Sequence, residues 1–282
     1  MKITIEALIK KFELQEAPRF IRLLSRGRKE AQNVITEKEL REAMSIGDLP
    51  AYKYQELAET YTKYLSEGLW MMYNNGVKIS YEQIAKYLII KEQRATIEAK
   101  LTMQAWTRAT NLITKINEEQ RFVIKSVLDE FVVKRNVSMD ELAKYIRSTV
   151  GLTPKQTEML VKMRDTLFQE GNLPPDKIAK LIEEQAKRIH DWRAETIART
   201  ESATILNYTT EELVKEGTKQ ANIRVKKVWY TAADERTCEI CGAMHNKPAN
   251  EDGFFELPDN DVIEVPPAHP NCRCCVIYDI QD

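Results

Sequence analysis

The feature that most constrains the fold of this chain is a cluster of cysteine and histidine residues in its last forty-five positions. All five cysteines and two of the three histidines lie there, and no cysteine precedes Cys238. Cys238 and Cys241 form a Cys-x-x-Cys motif, and His269, Cys272 and Cys274 follow in the sequence His-Pro-Asn-Cys-Arg-Cys. Thiolates and imidazoles at such spacings are typical ligands of tetrahedral zinc. The pattern therefore predicts a terminal module organised by a metal ion.

The cluster allows more than one interpretation. The two x-x spacings predict a zinc site formed by Cys238, Cys241, His269 and Cys272, with Cys274 as a rival for the fourth position. Such a site would be structural, because four protein ligands leave no coordination position open. The thiols can instead be unmetallated, redox-labile core residues, or they can be catalytic. An odd number of cysteines argues against a complete set of disulfides.

The composition outside the cluster predicts a mainly helical fold. Glycine is scarce, with nine in 282 residues, and helix-forming residues recur throughout. Residues 1–150 are expected to be helical, with long helices between Ser80 and Val133. Polar breaks are expected near residues 47–50, 74–76 and 136–138. Ser138 and Glu141 form a capping-box pattern at the start of a further helix.

The next stretch contains clearer helix boundaries. Thr153, Pro154 and Gln156 predict an N-cap, a proline in the first turn and a capping box, and this helix should stop at Gly171. A second helix should start at 174–176 and reach the 190s. A further helical segment is expected to end at Gly217, as a C-cap glycine.

The character of the chain changes after Gly217. Alternation from Ile223 to Thr231 predicts a strand, and shorter strands are expected at 262–265 and 275–278. The fold class is therefore mainly α with a small C-terminal α+β module. Two domains are expected: a helical N-terminal region over 1–150, and a domain over 151–282 that carries the cysteine and histidine cluster at 238–275.

The charge of the chain is unevenly distributed. The formal net charge is -1, although residues 221–282 are acidic and the rest is weakly basic. The densest basic cluster has no acidic residue within it and consists of Arg19, Arg22, Arg26, Arg28 and Lys29. It is either a solvated helix face or a contact for nucleic acid or an acidic partner. No apolar run is long enough to span a membrane, so a membrane is not an expected partner.

Three blocks in the second half of the chain resemble a known family. They are RAETIARTE at 193–201, WYT with DERTCEIC between 229 and 241, and PPAHPNCRC at 266–274. In this order and spacing they are similar to the phage Mu F-like head morphogenesis family, also called minor head or minor capsid proteins. The resemblance covers roughly residues 151–278, including the Leu-Thr-Pro helix start.

The resemblance implies a non-catalytic minor head protein of a tailed phage or prophage. Such proteins associate with the portal protein during procapsid assembly, and some leave the head with the DNA. The expected locations are the host cytoplasm during assembly and then the procapsid or virion head. The portal protein is the expected partner, and scaffold protein, major capsid protein and double-stranded DNA are further candidates. Residues 1–150 lie outside the recognisable part and are expected to provide docking surface.

The blocks also contain residues for which we expect structural roles. These are Arg199, Glu201, Trp229, Asp234 and Arg236. On a helix, Arg199 can pair with Glu195 four residues earlier; if buried, Arg199 and Glu201 would instead bind loop carbonyls and amides.

The chain departs from the common family pattern after the second cysteine. Residues 244–247 read Met-His-Asn-Lys where many relatives have Leu-Asp-Gly-Lys. Asn246 tolerates the left-handed conformation that such a turn requires. His245 is then either a turn residue or a spare metal ligand. The Cys-x-x-Cys pair is not universal in the family, so the zinc prediction depends on the ligands of this chain.

Two other functions are compatible with the sequence. A zinc-dependent hydrolase or nuclease would use Glu201, His245 or His269 beside an incompletely ligated metal. No nucleophile–base pair or glycine-rich phosphate loop accompanies these residues, which disfavours an enzyme. A DNA-binding protein ejected with the genome would use the basic cluster between Arg19 and Lys29.

Overall fold

A computed structural model describes residues 2–88, 94–134, 139–232 and 234–281, and it confirms a mainly helical fold with a small β-containing end. The elements in chain order are β1 (Lys2–Ile3), α1 (Glu6–Val34), α2 (Glu37–Ile46), α3 (Ala51–Ile84), α4 (Arg94–Lys134), α5 (Met139–Thr149), α6 (Pro154–Glu170), α7 (Pro175–Ala221), β2 (Arg224–Tyr230), α8 (Glu239–Met244), β3 (Phe255–Glu256), β4 (Val262–Ile263) and β5 (Cys275–Gln281).

Several helix ends lie where the local sequence predicts them. Helix α2 stops before Gly47, which adopts the left-handed conformation with φ 77°. Helix α6 starts with the predicted capping box of Thr153 and Gln156 and stops before Gly171, with φ 66°. These ends depend on interactions within a few residues, so local sequence is sufficient to predict them. The break at 136–138 and the capping box of Ser138 lie outside the described residues.

The predicted break at 74–76 is wrong, because α3 passes through these residues without interruption. A Cβ atom at Gly76 would lie 2.2 Å from Cγ2 of Ile205 on α7. Glycine is therefore needed for the close approach of two helices and not for a turn. The chain leaves the helical conformation later, in the turn that follows Ile84, so the helical pattern between Ser80 and Val133 belongs to two helices.

Gly217 is likewise inside a helix and is not its C-cap. Helix α7 is continuous to Ala221, and Asn222 takes the left-handed position with φ 52°. A Cβ atom at Gly217 would lie 2.9 Å from Cβ of Leu88. Gly76 thus permits a close approach of α3 to α7, and Gly217 permits a close approach of Leu88 to α7. Local sequence patterns do not distinguish this role of glycine from helix termination.

The predicted strands form a small antiparallel sheet. Strand β5 lies in the centre, with β2 on one side and β1 on the other, and Trp229 stands opposite Val276. Strands β3 and β4 form a separate pair. The strands predicted at 223–231, 262–265 and 275–278 are confirmed as β2, β4 and β5. Strand β1 was not predicted, because two residues carry too little periodicity to be recognised.

The chain forms two compact units, each assembled from separated stretches. The first unit comprises Met1–Phe20, Leu69–Arg108 and Glu195–Asp282, and the second comprises Ile21–Gly68 and Ala109–Ala194. Each unit contains residues from both sides of position 150. A functional division of the chain at that position stays a prediction.

The core of the first unit joins helices to the sheet. Apolar side chains from α3, α4 and α7 pack with the buried faces of β2 and β5, and they include Val77, Ile84, Leu101, Leu213, Trp229, Val276 and Tyr278. The cysteines Cys241, Cys272 and Cys274 belong to the same buried cluster. The candidate metal ligands are therefore continuous with the core that supports the sheet.

The second unit contains a buried histidine. Nε2 of His190 lies 2.9 Å from the Ser148 carbonyl oxygen, and burial lowers the pKa of His190 to about 3, with a further contribution from Arg28. The imidazole is therefore neutral and acts in packing. Trp192, two residues later on the same helix, is 57% exposed.

Among the described residues, no helix combines the length and apolar character that a membrane span requires.

Candidate metal centre

The Cys-x-x-Cys motif is held by the start of a short helix. Cys238 is the N-cap of α8, and its sulfur accepts a hydrogen bond from the Cys241 backbone N–H at 3.4 Å. Cys238 is exposed and Cys241 is buried. Burial opposes ionisation of Cys238, but hydrogen bonds from Cys241 and the neighbouring His269 outweigh it and lower its pKa. The turn thus presents two sulfurs on one side, one of them favoured as a thiolate.

The segment at 269–274 places the imidazole of His269 against these two sulfurs. Nε2 of His269 lies 3.1 Å from Sγ of Cys238 and 3.1 Å from Sγ of Cys241. Its Nδ1 lies 2.9 Å from the Pro270 carbonyl oxygen, which accepts a hydrogen bond in the tautomer protonated at Nδ1. That tautomer leaves the Nε2 lone pair free for a metal ion, the arrangement commonly found for histidine ligands.

Two further sulfurs complete the cluster. Sγ of Cys272 lies 3.7 Å from Sγ of Cys241. The donor atoms of Cys238, Cys241 and His269 lie within 4.8 Å of one another, and so do those of Cys241, Cys272 and Cys274. The structure thus brings together all five predicted ligands in two groups of three that share Cys241. The cluster can hold a metal ion.

The hydrogen bonds around Cys272 favour its thiolate form. Its sulfur accepts from the side chains of Cys241 and Cys274 and from the backbone N–H groups of Cys274 and Ala268, and together these bonds lower the pKa of Cys272. A thiol that is readily deprotonated is suited to metal binding, since the thiolate is the form that ligates.

Residues of the RAETIARTE block, which lies in α7, hold the segment that carries His269 and Cys272. Asn271, with φ 62°, donates its backbone N–H to Thr200 Oγ1 and its side-chain amide to Thr196 Oγ1, both at 3.0 Å. Arg199 donates to the Asn271 side-chain oxygen at 3.1 Å and to Glu13 at 2.7 Å. Arg199 is half-buried, contacts the loop through the Asn271 side chain, and forms its ion pair with Glu13 instead of Glu195.

An ion pair joins the block that contains Cys238 and Cys241 to the PPAHPNCRC block. Both carboxylate oxygens of Asp234 accept hydrogen bonds from the Arg273 guanidinium, which holds the pKa of Asp234 well below its usual range. Arg236 is mostly exposed, approaches Asp234, and lines an open depression together with the cysteine cluster. The two cysteine-bearing segments are thus connected by charge as well as by the candidate ligands.

Three other residues considered in the sequence differ in environment: Glu201 is partly buried, Trp229 is fully buried, and His245 contacts Thr231, the residue after β2. The Tyr73 hydroxyl donates to Glu201 at 2.9 Å, and burial raises the pKa of this carboxyl group. Trp229 is fully buried and packs edge-on against Phe255, with ring centroids 5.2 Å apart. Nδ1 of His245 accepts from the Thr231 backbone N–H at 3.3 Å, and Asn246 has the predicted left-handed conformation with φ 63°.

The basic cluster on α1 is divided by burial. Arg28 is 9% exposed, whereas Arg19, Arg22, Arg26 and Lys29 are exposed. Arg22, Arg26 and Lys29 are spaced by four and three residues, which places them on one face of the helix. Arg19 pairs with Glu16 and Arg26 with Glu30.

Some residues that organise the module were not recognised in the sequence. Asn207 on α7 donates to the Cys274 carbonyl at 3.1 Å and accepts from the Val276 N–H at 3.2 Å. Glu211, one turn later, accepts from the Lys227 ammonium at 3.0 Å and the Tyr278 hydroxyl at 2.7 Å. Burial lowers the pKa of Lys227. The only available signal was a row of polar residues at helical spacing, which usually indicates a solvated face.

Comparison with protein families supports the resemblance predicted from the three blocks. Residues 168–277 match the model of the family described as Phage Mu protein F like protein. All three blocks lie within the match, whereas the Leu-Thr-Pro helix start at 152–154 lies outside it. Comparisons with curated proteins and with solved structures gave no match.

The contacts of Asn271 predict a specific cost for its removal. Asn271→Gly retains backbone freedom at this left-handed position but removes the bonds to Thr196 and Arg199, so we expect a loss of about 1–3 kcal/mol in unfolding free energy. Urea unfolding checks this value. The matched control is Asn260→Gly, at an exposed residue with φ 69°, which should change stability by less than about 0.5 kcal/mol. Equal effects at the two positions would contradict the proposed anchoring.

Proposed function

We propose that this chain, whose residues 168–277 are phage Mu F-like, is a minor head protein of a tailed phage or prophage. The family match carries this proposal. It is supported by the structure of the matched segment, in which the three blocks contact one another through Asn271, Arg199 and the Asp234–Arg273 pair. Contacts that join three separated blocks are suited to a stable structural module.

The proposed role is non-catalytic. The metal site proposed below uses four of the five candidate donors, and a metal with four protein ligands has no open position for water or substrate. The residues that a hydrolase would require have other partners: Glu201 binds Tyr73, and His245 binds the backbone of Thr231. We therefore favour a structural protein over the zinc-dependent hydrolase or nuclease.

The proposed partner is the portal protein, with scaffold protein and major capsid protein as further candidates. The protein would be present in the host cytoplasm during assembly and then in the procapsid or virion head. Residues 1–150 would provide docking surface. The support for this part of the proposal is the family match together with the sequence position of these residues outside the matched segment.

Association with the portal provides the direct test. An affinity-tagged chain, expressed during phage growth or prophage induction, should co-purify with the portal protein and sediment with procapsids. The tag alone, expressed in the same way, is the control. Absence of the chain from both the portal complex and the procapsid fraction would refute the proposed role.

We further propose that the cluster binds one structural zinc ion through Cys238, Cys241, His269 and Cys272, with Cys274 as the rival ligand. Zinc–sulfur bonds of about 2.3 Å place two sulfurs of a tetrahedral site about 3.8 Å apart. The 3.7 Å distance between Cys241 and Cys272 agrees with this spacing. The His269 tautomer and the hydrogen bonds to the Cys238 and Cys272 sulfurs support the same assignment.

Zinc removal should destabilise the protein. Elemental analysis should find one zinc per chain, and free zinc at about 100 times its Kd should raise the unfolding free energy by about 2.7 kcal/mol over the chelated protein. Cys238→Ser should abolish this dependence. Cys275→Ser is the control, since Cys275 lies outside both groups of donors and its variant should retain zinc. An unfolding transition that does not respond to zinc or chelator would contradict the assignment.

A second candidate function is contact with double-stranded DNA through α1. The observation that favours it is the exposed row formed by Arg22, Arg26 and Lys29 on one helix face. Such a row can approach consecutive phosphates, and the resulting affinity depends on salt because counterions are released. A protein that leaves the head with the genome would use this contact.

Charge reversal tests the DNA contact. The triple variant R22E/R26E/K29E should bind DNA more weakly, and the slope of log affinity against log salt should decrease by up to about 2.7. The triple variant K155E/K177E/K180E, at other exposed lysines, makes the same change in net charge and should have little effect. Equal losses in the two variants would assign the effect to net charge and not to α1.

A further inference from the structure

The metal centre contains one more soft donor than a tetrahedral ion requires. Cys241 belongs to both groups of donors, one completed by Cys238 and His269 and the other by Cys272 and Cys274. Cys272 and Cys274 are both almost fully buried, at 1% and 2% exposure. Two sulfurs are therefore placed next to Cys241 where a closed site needs only one.

The backbone on both sides of Cys274 is held in place. The Asn207 side chain binds the Cys274 carbonyl at 3.1 Å and the Val276 N–H at 3.2 Å, while Tyr230 stands opposite Cys275 in the sheet. Cys272 is held separately, through its N–H to the His269 carbonyl at 3.1 Å. Both sulfurs are thus kept beside Cys241 by independent contacts.

We propose that the metal centre has a redundant fourth ligand, in which Cys272 or Cys274 completes the site with Cys238, Cys241 and His269. This inference rests on the proposed zinc site and adds that loss of either sulfur is compensated by the other. The two ligand sets have the same composition, three cysteines and one histidine, so either set supplies the same types of donor atom to the ion.

Removal of single sulfurs tests the redundancy. Zinc stoichiometry and affinity are measured by elemental analysis and by competition with a chromophoric chelator. C272A and C274A should each bind one zinc ion, with affinities within roughly tenfold of the unmodified protein. C241A and the double variant C272A/C274A should lose more than the roughly 100-fold that removal of an outer contact causes. If the alanine variants do not fold, C272S and C274S replace them.

The outcomes separate this inference from the zinc proposal. If the unmodified protein binds no zinc, both fail. If it binds zinc but C272A or C274A alone abolishes binding, the redundancy is refuted and the remaining ligand set is identified. Retention of zinc by both single variants and its loss from the double variant supports the redundant site.

Discussion

The β-containing end of the first unit depends on a row of polar side chains along one face of α7. Thr196, Thr200, Asn207 and Glu211 are spaced by four, seven and four residues, so they lie on the same side of the helix. The two threonines bind Asn271, Asn207 binds the backbone around Cys274, and Glu211 binds Lys227 and Tyr278. Asn207 and Glu211 are buried, so loss of either would leave a buried donor, the Val276 N–H or the Tyr278 hydroxyl, without its acceptor.

This arrangement explains why three separated sequence blocks occur together. The helix block supplies the threonines and Arg199, the last block supplies Asn271 and Arg273, and the middle block supplies Asp234 and the first cysteine pair. Two short segments are thereby fixed against a helix and against each other. A metal ion held by Cys241 and His269 would reinforce contacts that hydrogen bonds and one ion pair already make.

The parts of the fold that could be predicted depend on local interactions. The capping box at Thr153, the left-handed Gly171 and the alternation from Ile223 to Thr231 each involve neighbours within a few residues. The candidate ligands were also recognisable, because coordination chemistry restricts them to few residue types. Gly76 and Gly217 were misinterpreted because glycine permits both a helix end and a close helix approach, and the choice depends on Ile205 and Leu88, which are distant in sequence.

The sequence by itself determined the helical character of the chain, the chemical identity of the candidate metal donors and the resemblance to the phage Mu F-like family. Propensity, side-chain chemistry and motif order are properties of residues and their neighbours. Only the tertiary structure decided that Lys2–Ile3 joins the sheet of the last strand, that Arg28 is buried while the other basic residues of its cluster are exposed, and that Cys241 is shared by two groups of donors. These features arise from packing between residues far apart along the chain, where burial and hydrogen-bond satisfaction are set by the partner and not by the local pattern.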